Sequence, residues 1–245
     1  MRLEKQSILY YFKRKFTVEA PWFDSPGQAQ IPVKRALRQV KKQLKVFEKI
    51  QVDVKELCDI PRYYPFLIAG WPIYQITARN VRSGFCLISY AYENNATHAA
   101  TFASVVLNHL KRSGVELSQC YIQTDNGSEF VVPYGVRRGF RHNRKNPFDS
   151  IRRYSLFQQV LGAFVEAKYR IPPRASTYNI DVEAFHRIVV DEFYDWGSYQ
   201  SRRELLQKAY NYMRDFNQLR TKSYKENLTP VDIIKQVEAK INVNT

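Results

Sequence analysis

Alternation marks the first strand in this chain. Ile50, Val52 and Val54 fall on one side of the run, and Gln51, Asp53 and Lys55 on the other. That period of two predicts a half-buried strand with Asp53 near its middle. Ahead of it, Val33, Leu37, Val40, Leu44 and Phe47 recur at helical spacing through residues 32–49, with Lys34, Arg38, Lys41, Lys42 and Lys45 on other faces. This predicts an amphipathic helix, read either as a solvated helix packed by its apolar stripe or as a basic arm that follows phosphates.

Beyond the first strand, Pro61–Pro72 is rich in Pro and Tyr and reads as a loop. Two strands are predicted over Tyr74–Ala78 and Phe85–Tyr92, joined as a hairpin through Arg79–Gly84. A helix follows over Thr97–Arg112, its buried stripe Ala99, Phe102, Val106 and Leu110, with Gly114 ending it. The short apolar run Cys120-Tyr121-Ile122 reads as another strand. Later helices are predicted over Leu156–Tyr169, through the stripe Val182, Phe185, Val189 and Phe193 with Asn179 or Asp181 as cap, over Arg202–Phe216, and after Pro230. Three antiparallel-type strands, a helix, and a strand returning beside the first make an α/β core with a mixed sheet.

The chain has 245 residues, 44% hydrophobic and 14% aromatic, the balance of a folded globular protein. No apolar run approaches the roughly 20 residues that cross a bilayer. The opening Met1-Arg2-Leu3-Glu4-Lys5-Gln6 leads into no signal sequence, which predicts a cytoplasmic protein. Cys58, Cys86 and Cys120 form no C-x-x-C pair, so they are expected to be small core residues and not a disulfide or zinc framework. A net charge of +15 implies a polyanionic partner. The cations are spread over several segments, which suits a phosphate backbone better than a membrane surface. Arg137, Arg138, Arg141, Arg144 and Lys145 crowd the stretch 131–155 and are the candidates for contacting nucleic acid.

The candidate chemistry is acidic. Asp125 opens Asp125-Asn126-Gly127-Ser128-Glu129-Phe130 at the end of a predicted strand, with Asn126-Gly127 a turn dipeptide whose residues tolerate positive φ. Alone, Asp125 reads as an ordinary capping residue of that turn. Asp53 on the first strand and Glu183 in the first turn of a later helix change its weight. Two strand ends and a helix start can converge, and three carboxylates there make an oxygen-rich pocket suited to two Mg²⁺ or Mn²⁺ ions. Such a pair serves the attacking and leaving oxygens of an in-line phosphoryl displacement, and would need the carboxylates roughly 4–8 Å apart. His186 and Arg187 follow Glu183 at helical spacing and are expected to position a DNA phosphate, or to form a surface Arg–acid pair. Glu129 reads as a packing or DNA-contacting residue.

Three of these stretches also resemble a known family. Gln51-Val52-Asp53-Val54-Lys55, Gln123-Thr124-Asp125-Asn126-Gly127-Ser128-Glu129-Phe130 and Asp181-Val182-Glu183-Ala184-Phe185-His186-Arg187 look like the catalytic core of integrase-type DDE transposases, which include retroviral integrases and bacterial insertion-sequence transposases. The segment Tyr212–Pro230, with Asn217, Arg220 and Leu228-Thr229-Pro230, is similar to the part that closes such cores in bacterial elements. The resemblance implies a ribonuclease-H-like fold, a core over residues 50–235, a basic arm over 1–49 and a tail over 236–245. It implies that Asp53, Asp125 and Glu183 are catalytic metal ligands for Mg²⁺ or Mn²⁺, and that the chain cleaves and joins DNA as a homo-oligomer, associated with the nucleoid when on DNA.

Two departures qualify it. Asp125 and Glu183 stand 58 positions apart, longer than in retroviral members, with the basic stretch 131–155 as the excess. Only about 49 residues precede the first strand, short of the helix-turn-helix arm usual in such transposases, so the chain is expected either to be a truncated reading frame or to depend on a separate DNA-binding subunit for end recognition. A decayed, non-catalytic DNA-binding derivative and a nuclease that cuts without joining remain as alternatives.

Overall fold

The computed structural model describes residues 39–131, 154–165, 167–170, 179–221 and 225–243. The chain divides into two compact units, Met1–Leu44 and Lys45–Thr245. In the first, residues 39–43 are helical, and residues 32–38 of the predicted basic helix lie outside the described residues. In the second, the predicted helix does not run on to residue 49. Phe47 takes a left-handed φ of 58°, and Glu48 accepts a hydrogen bond from the Lys45 amide at 2.8 Å, which closes a turn before the first strand.

Among its described residues the second unit has five strands: β1 (Lys49–Glu56), β2 (Tyr74–Asn80), β3 (Cys86–Ala91), β4 (Tyr121–Thr124) and β5 (Ala167–Arg170), in the spatial order β3-β2-β1-β4-β5. β1, β2 and β3 are antiparallel, while β4 pairs parallel to β1 and β5 parallel to β4. The mixed sheet expected from the sequence is therefore present. Its fifth strand departs from expectation, because the helix predicted over Leu156–Tyr169 ends at Phe164. Val165 turns extended (φ −127°, ψ 140°), and Tyr169 pairs with Gln123. The open edge of β4 competes for that backbone and wins over helical periodicity.

Among the described residues, six helices accompany the sheet: α1 (Tyr64–Ile68), α2 (Ala96–Arg112), α3 (Leu156–Phe164), α4 (Ile180–Val189), α5 (Arg202–Gln218) and α6 (Pro230–Val237). α2 starts where the Asn95 side chain accepts from the His98 amide, and α3 and α6 start with capping boxes from Ser155 and Thr229. One apolar core joins Ile50, Val52, Ile76 and Ala78 of the sheet to Leu107 and Leu110 of α2, Phe157 of α3 and Ile234 of α6. Ile241 and Val243 belong to the same core, so the segment expected as a tail is packed. A second, more aromatic core gathers Tyr63, Trp71, Phe185, Phe193, Tyr194, Tyr199 and Phe216. Pro61–Pro72 is thus more than a loop: it holds a 3₁₀ turn and α1, with Tyr63 and Trp71 in the core, Phe66 packed against it and Tyr64 exposed.

Because period-two alternation sends Gln51 away from the first core, a half-buried strand would leave it wet. It is 2% exposed. Along β1 and β2 the side opposite the first core carries Gln51, Asp53, Gln75, Thr77 and Arg79, and α4 packs against both strands. A polar layer is sealed between sheet and helix there, and the candidate site lies in it.

Candidate active site

The parallel register sets Gln51 of β1 opposite Gln123 of β4. Both are buried, at 2% and 0% exposure, and both reach the same helix start. Gln51 Oε1 accepts from the Val182 amide at 3.0 Å, and Gln123 Nε2 donates to Asn179 Oδ1 at 3.2 Å. Helix starts carry amides with no partner inside the helix. Asn179 makes no side-chain cap bond, so a strand residue supplies the acceptor that Asn179 or Asp181 was expected to supply. The sheet thereby fixes the first turn of α4, which carries Glu183.

Two residues further along each strand stand Asp53 and Asp125. Asp53 lies within β1, and Asp125 is the residue directly after the end of β4 at Thr124. Asp53 is pushed up to about 7, first by burial and then by the negative charges of Asp125 and Glu183, with Glu129 adding to them and a backbone hydrogen bond at Val54 opposing. The three predicted acids therefore share one electrostatic field.

α4 also presses His186 into this layer. It was expected on the DNA side beside Arg187; instead it is 6% exposed and turned into the sheet, while Arg187, the next residue, faces solvent. His186 Nε2 lies 2.9 Å from Thr77 Oγ1, and its Nδ1 lies 3.5 Å from Asp53 Oδ2. Burial, with Lys55 and Arg79 nearby, lowers the ring to about 3, so the Asp53 contact is that of a neutral imidazole and not an ion pair. Thr77 is the register partner of Asp53, and accepts from Gln75 Nε2 at 2.9 Å. Gln75 Oε1 accepts from the Tyr194 hydroxyl at 2.6 Å, and Tyr194 lies 2.9 Å from the Tyr90 hydroxyl. Tyr194 reaches the sheet because α4 widens into a π-helical turn over Val190–Tyr194.

The Asp125 turn is held differently from expectation. Asp125 Oδ1 accepts from the Gly127 amide at 2.9 Å, yet neither Asn126 nor Gly127 has positive φ. The glycine leaves room for a neighbouring side chain: a Cβ at 127 would meet both Glu129 carboxylate oxygens at 2.5 Å, so that carboxylate would have to shift. Glu129 is buried at 6% exposure, its carboxyl raised by burial while a hydrogen bond from Asn94 opposes the rise. It packs, as one of its two readings had it. Phe130 then anchors the loop, its ring 4.9 Å from Phe157 and its carbonyl accepting from Ser155 Oγ at 2.6 Å.

Asp53, Asp125 and Glu183 offer only oxygen donors and mutual repulsion, which fits a hard divalent cation such as Mg²⁺ or Mn²⁺. Among the described residues, no three His, Cys, Asp or Glu side chains stand close enough together to hold an ion. Two acids are turned to other partners, Asp125 to the Gly127 amide and Asp53 to His186, so the donors share a field without converging on a point. Arg137, Arg138, Arg141, Arg144 and Lys145 lie outside the described residues. Among the cysteines, Cys86 and Cys120 are buried as expected, whereas Cys58 is exposed. No helix among the described residues is long and apolar enough to cross a membrane.

The supporting residues Gln51, Gln123, Thr77, Gln75 and Tyr194 went unassigned in the sequence. One signal for them exists. Gln-x-Asp occurs twice, as Gln51-Val52-Asp53 and Gln123-Thr124-Asp125, and equal spacing on two strands places both pairs on one face.

No family model matches the chain, and no curated protein matches it. Solved structures do. A chain of the simian T-cell lymphotropic virus intasome in complex with PP2A regulatory subunit B56 gamma aligns with a TM-score of 0.51 at 13% identity, covering 79% of this chain and 56% of that one. The HTLV-2 integrase catalytic core domain in complex with magnesium aligns at 0.43 and 15% identity, covering 78% of this chain and 97% of that one. The BIV integrase catalytic core domain aligns at 0.47 and 17% identity, covering 79% and 97%. The chain thus spans little more than half of the intasome chain it resembles. What it has in common with the intasome chain is the fold, a ribonuclease-H-like mixed sheet flanked by helices.

Proposed function

We propose that this chain is the catalytic core of a DDE-type polynucleotidyl transferase, a transposase or integrase that cleaves DNA and joins the freed 3′ end to a target. The observation that carries the reading is the paired Gln-x-Asp arrangement: Gln51 and Gln123 hold the first turn of α4, with Asp53, Asp125 and Glu183 in one field around it. These acids would hold two Mg²⁺ or Mn²⁺ ions. When bound, such ions polarise the scissile phosphate and lower the cost of the attacking and leaving oxygens.

The chain's own residues do the positioning. β1 holds Asp53 on strand backbone, Asp125 follows directly on the end of β4, and the buried glutamines hold the first turn of the helix that carries Glu183. Arg187, exposed four residues after Glu183, is available to a DNA phosphate. The basic residues Arg137, Arg138, Arg141, Arg144 and Lys145 would extend that contact. Action on element ends as a homo-oligomer, with residence at the nucleoid, belongs to the same proposal.

The test is a strand-transfer assay on labelled oligonucleotides with Mg²⁺ or Mn²⁺. Cleaved and joined products from the wild-type chain, both lost in Asp125→Ala, support the reading. Cleavage without joining points to a nuclease of the same fold. No cleavage, or cleavage untouched by the substitution, rejects it.

A further inference from the structure

We infer that His186 is a positioning residue for Asp53, its imidazole held in the Nδ1-protonated tautomer by a buried chain of donors that begins at Tyr194. The inference rests on the proposed role of Asp53 and adds a residue to that site.

The direction of the chain follows from proton counting. Tyr194 has one hydroxyl proton, and gives it to Gln75 Oε1 at 2.6 Å. That contact makes the Gln75 carbonyl an acceptor and leaves its amide to donate to Thr77 Oγ1 at 2.9 Å. With one lone pair of the Thr77 oxygen so engaged, its own proton is directed at the remaining close partner, His186 Nε2, at 2.9 Å. A ring nitrogen that accepts carries no proton, so the one proton of the neutral imidazole sits on Nδ1. Nδ1 is the atom that faces Asp53 Oδ2, 3.5 Å away.

The tautomer decides the sign of that contact. At 3.5 Å the approach is longer than a full hydrogen bond. With a proton on Nδ1 it is attractive and holds the carboxylate at one end. With Asp53 ionised, as it must be to take a cation, a bare lone pair there repels the carboxylate and lets it turn. Each link lies in the polar layer: Gln75 and Thr77 on one face of β2, Tyr90 as the register partner of Gln75 on β3, and Tyr194 on the π-helical turn. Gln75, Thr77 and His186 are at or below 6% exposure, and Tyr194 is at 1%, so little water competes for these bonds. A ligating carboxylate fixed by a neighbour in this way typically loses about 10- to 100-fold in metal affinity when the neighbour is removed.

The experiment uses the full chain labelled with ¹⁵N-histidine, which gives only four imidazole patterns. His186 is assigned by its absence in His186→Asn. Two-bond ¹H–¹⁵N correlations should show His186 neutral with its proton on Nδ1. Thr77→Val and Tyr194→Phe, which each remove one hydroxyl and little volume, should move it toward the Nε2-protonated form. A wild-type ring protonated on Nε2, or a ring unmoved by both variants, overturns the inference. A parallel Mn²⁺ titration followed by electron paramagnetic resonance reads the consequence: His186→Leu should weaken binding about 10- to 100-fold. His186→Asn, whose amide can replace Nδ1–H, should restore most of it. Equal affinity in wild type and His186→Leu rejects the positioning role. Absence of Mn²⁺ binding by the wild type rejects the proposed function instead, and the tautomer result still decides the inference.

Discussion

Gln51 and Gln123 face each other across two parallel strands, and each hydrogen-bonds into the start of the helix that carries Glu183. Two neutral side chains at the bottom of a polar layer thus set where an acid sits at its top. Amides suit this task because each offers a donor and an acceptor and carries no charge that burial would penalise.

Gln51→Leu keeps the volume but removes the acceptor for the Val182 amide, leaving a buried donor without that bond. The expected cost is about 1–3 kcal/mol in urea unfolding. A loss below about 0.5 kcal/mol would mean that the amide finds water or another partner.

Asp53 gives the unfolding free energy a pH dependence opposite to that of a salt-bridged acid. Its folded value is near 7 against 3.8 for the ordinary group. Between about pH 4 and 7 the folded chain therefore holds a proton that the unfolded chain has released, and stability from this group falls as pH rises through that window. At roughly 1.4 kcal/mol per pKa unit the loss reaches up to about 4 kcal/mol. Asp53→Asn should be more stable than wild type at pH 8 and show a shallower decline from pH 5 to 8. Parallel curves for the two proteins would contradict the assignment.

Asn217 ties the end of α5 to the edge of the sheet. Its Oδ1 accepts from the Cys86 amide at 3.0 Å and its Nδ2 donates to the Cys86 carbonyl at 2.8 Å, with the side chain fully buried. Asn217→Ala removes both bonds at once, and should cost about 2–5 kcal/mol by chemical denaturation. Asn217→Asp, which keeps the acceptor but buries a charge, should be no better. Retention of wild-type stability in either would show that α5 is held by its apolar contacts alone.

Much of the frame was legible because periodicity reports burial. Val182, Phe185, Val189 and Phe193 are core as their spacing implied, and the alternation from Ile50 to Val54 marks the central strand. The misreadings share a cause: tertiary partners that a local pattern does not contain. β5 forms because β4 has an open edge to fill. His186 sits inside because α4 rotates it onto Thr77, although helical spacing from Glu183 puts it nominally on the same face. Gly127 takes no left-handed φ and instead lies against the Glu129 carboxylate. The acids stand out in the sequence as candidates, whereas Gln75, Thr77 and Tyr194 around them do not, since a buried polar side chain looks like a surface one until its partner strand is known.

Arg137, Arg138 and Arg141 carry a prediction that depends on charge alone. Replacing all three with alanine should reduce the slope of log K against log salt for DNA binding by about 3, since each phosphate contact contributes roughly 0.9. The measurement is a salt titration of binding to labelled duplex. A slope equal to wild type would place these arginines away from DNA.

The central claim is that Asp53, Asp125 and Glu183 act as one metal site. It is tested most directly by titrating Mn²⁺ into the full chain, followed by electron paramagnetic resonance, for wild type and for Asp53→Asn, Asp125→Asn and Glu183→Gln. The account predicts binding in the wild type and a loss of at least about 10-fold in affinity in every one of the three variants. Binding that survives any of the substitutions unchanged, or no binding by the wild type, would contradict it.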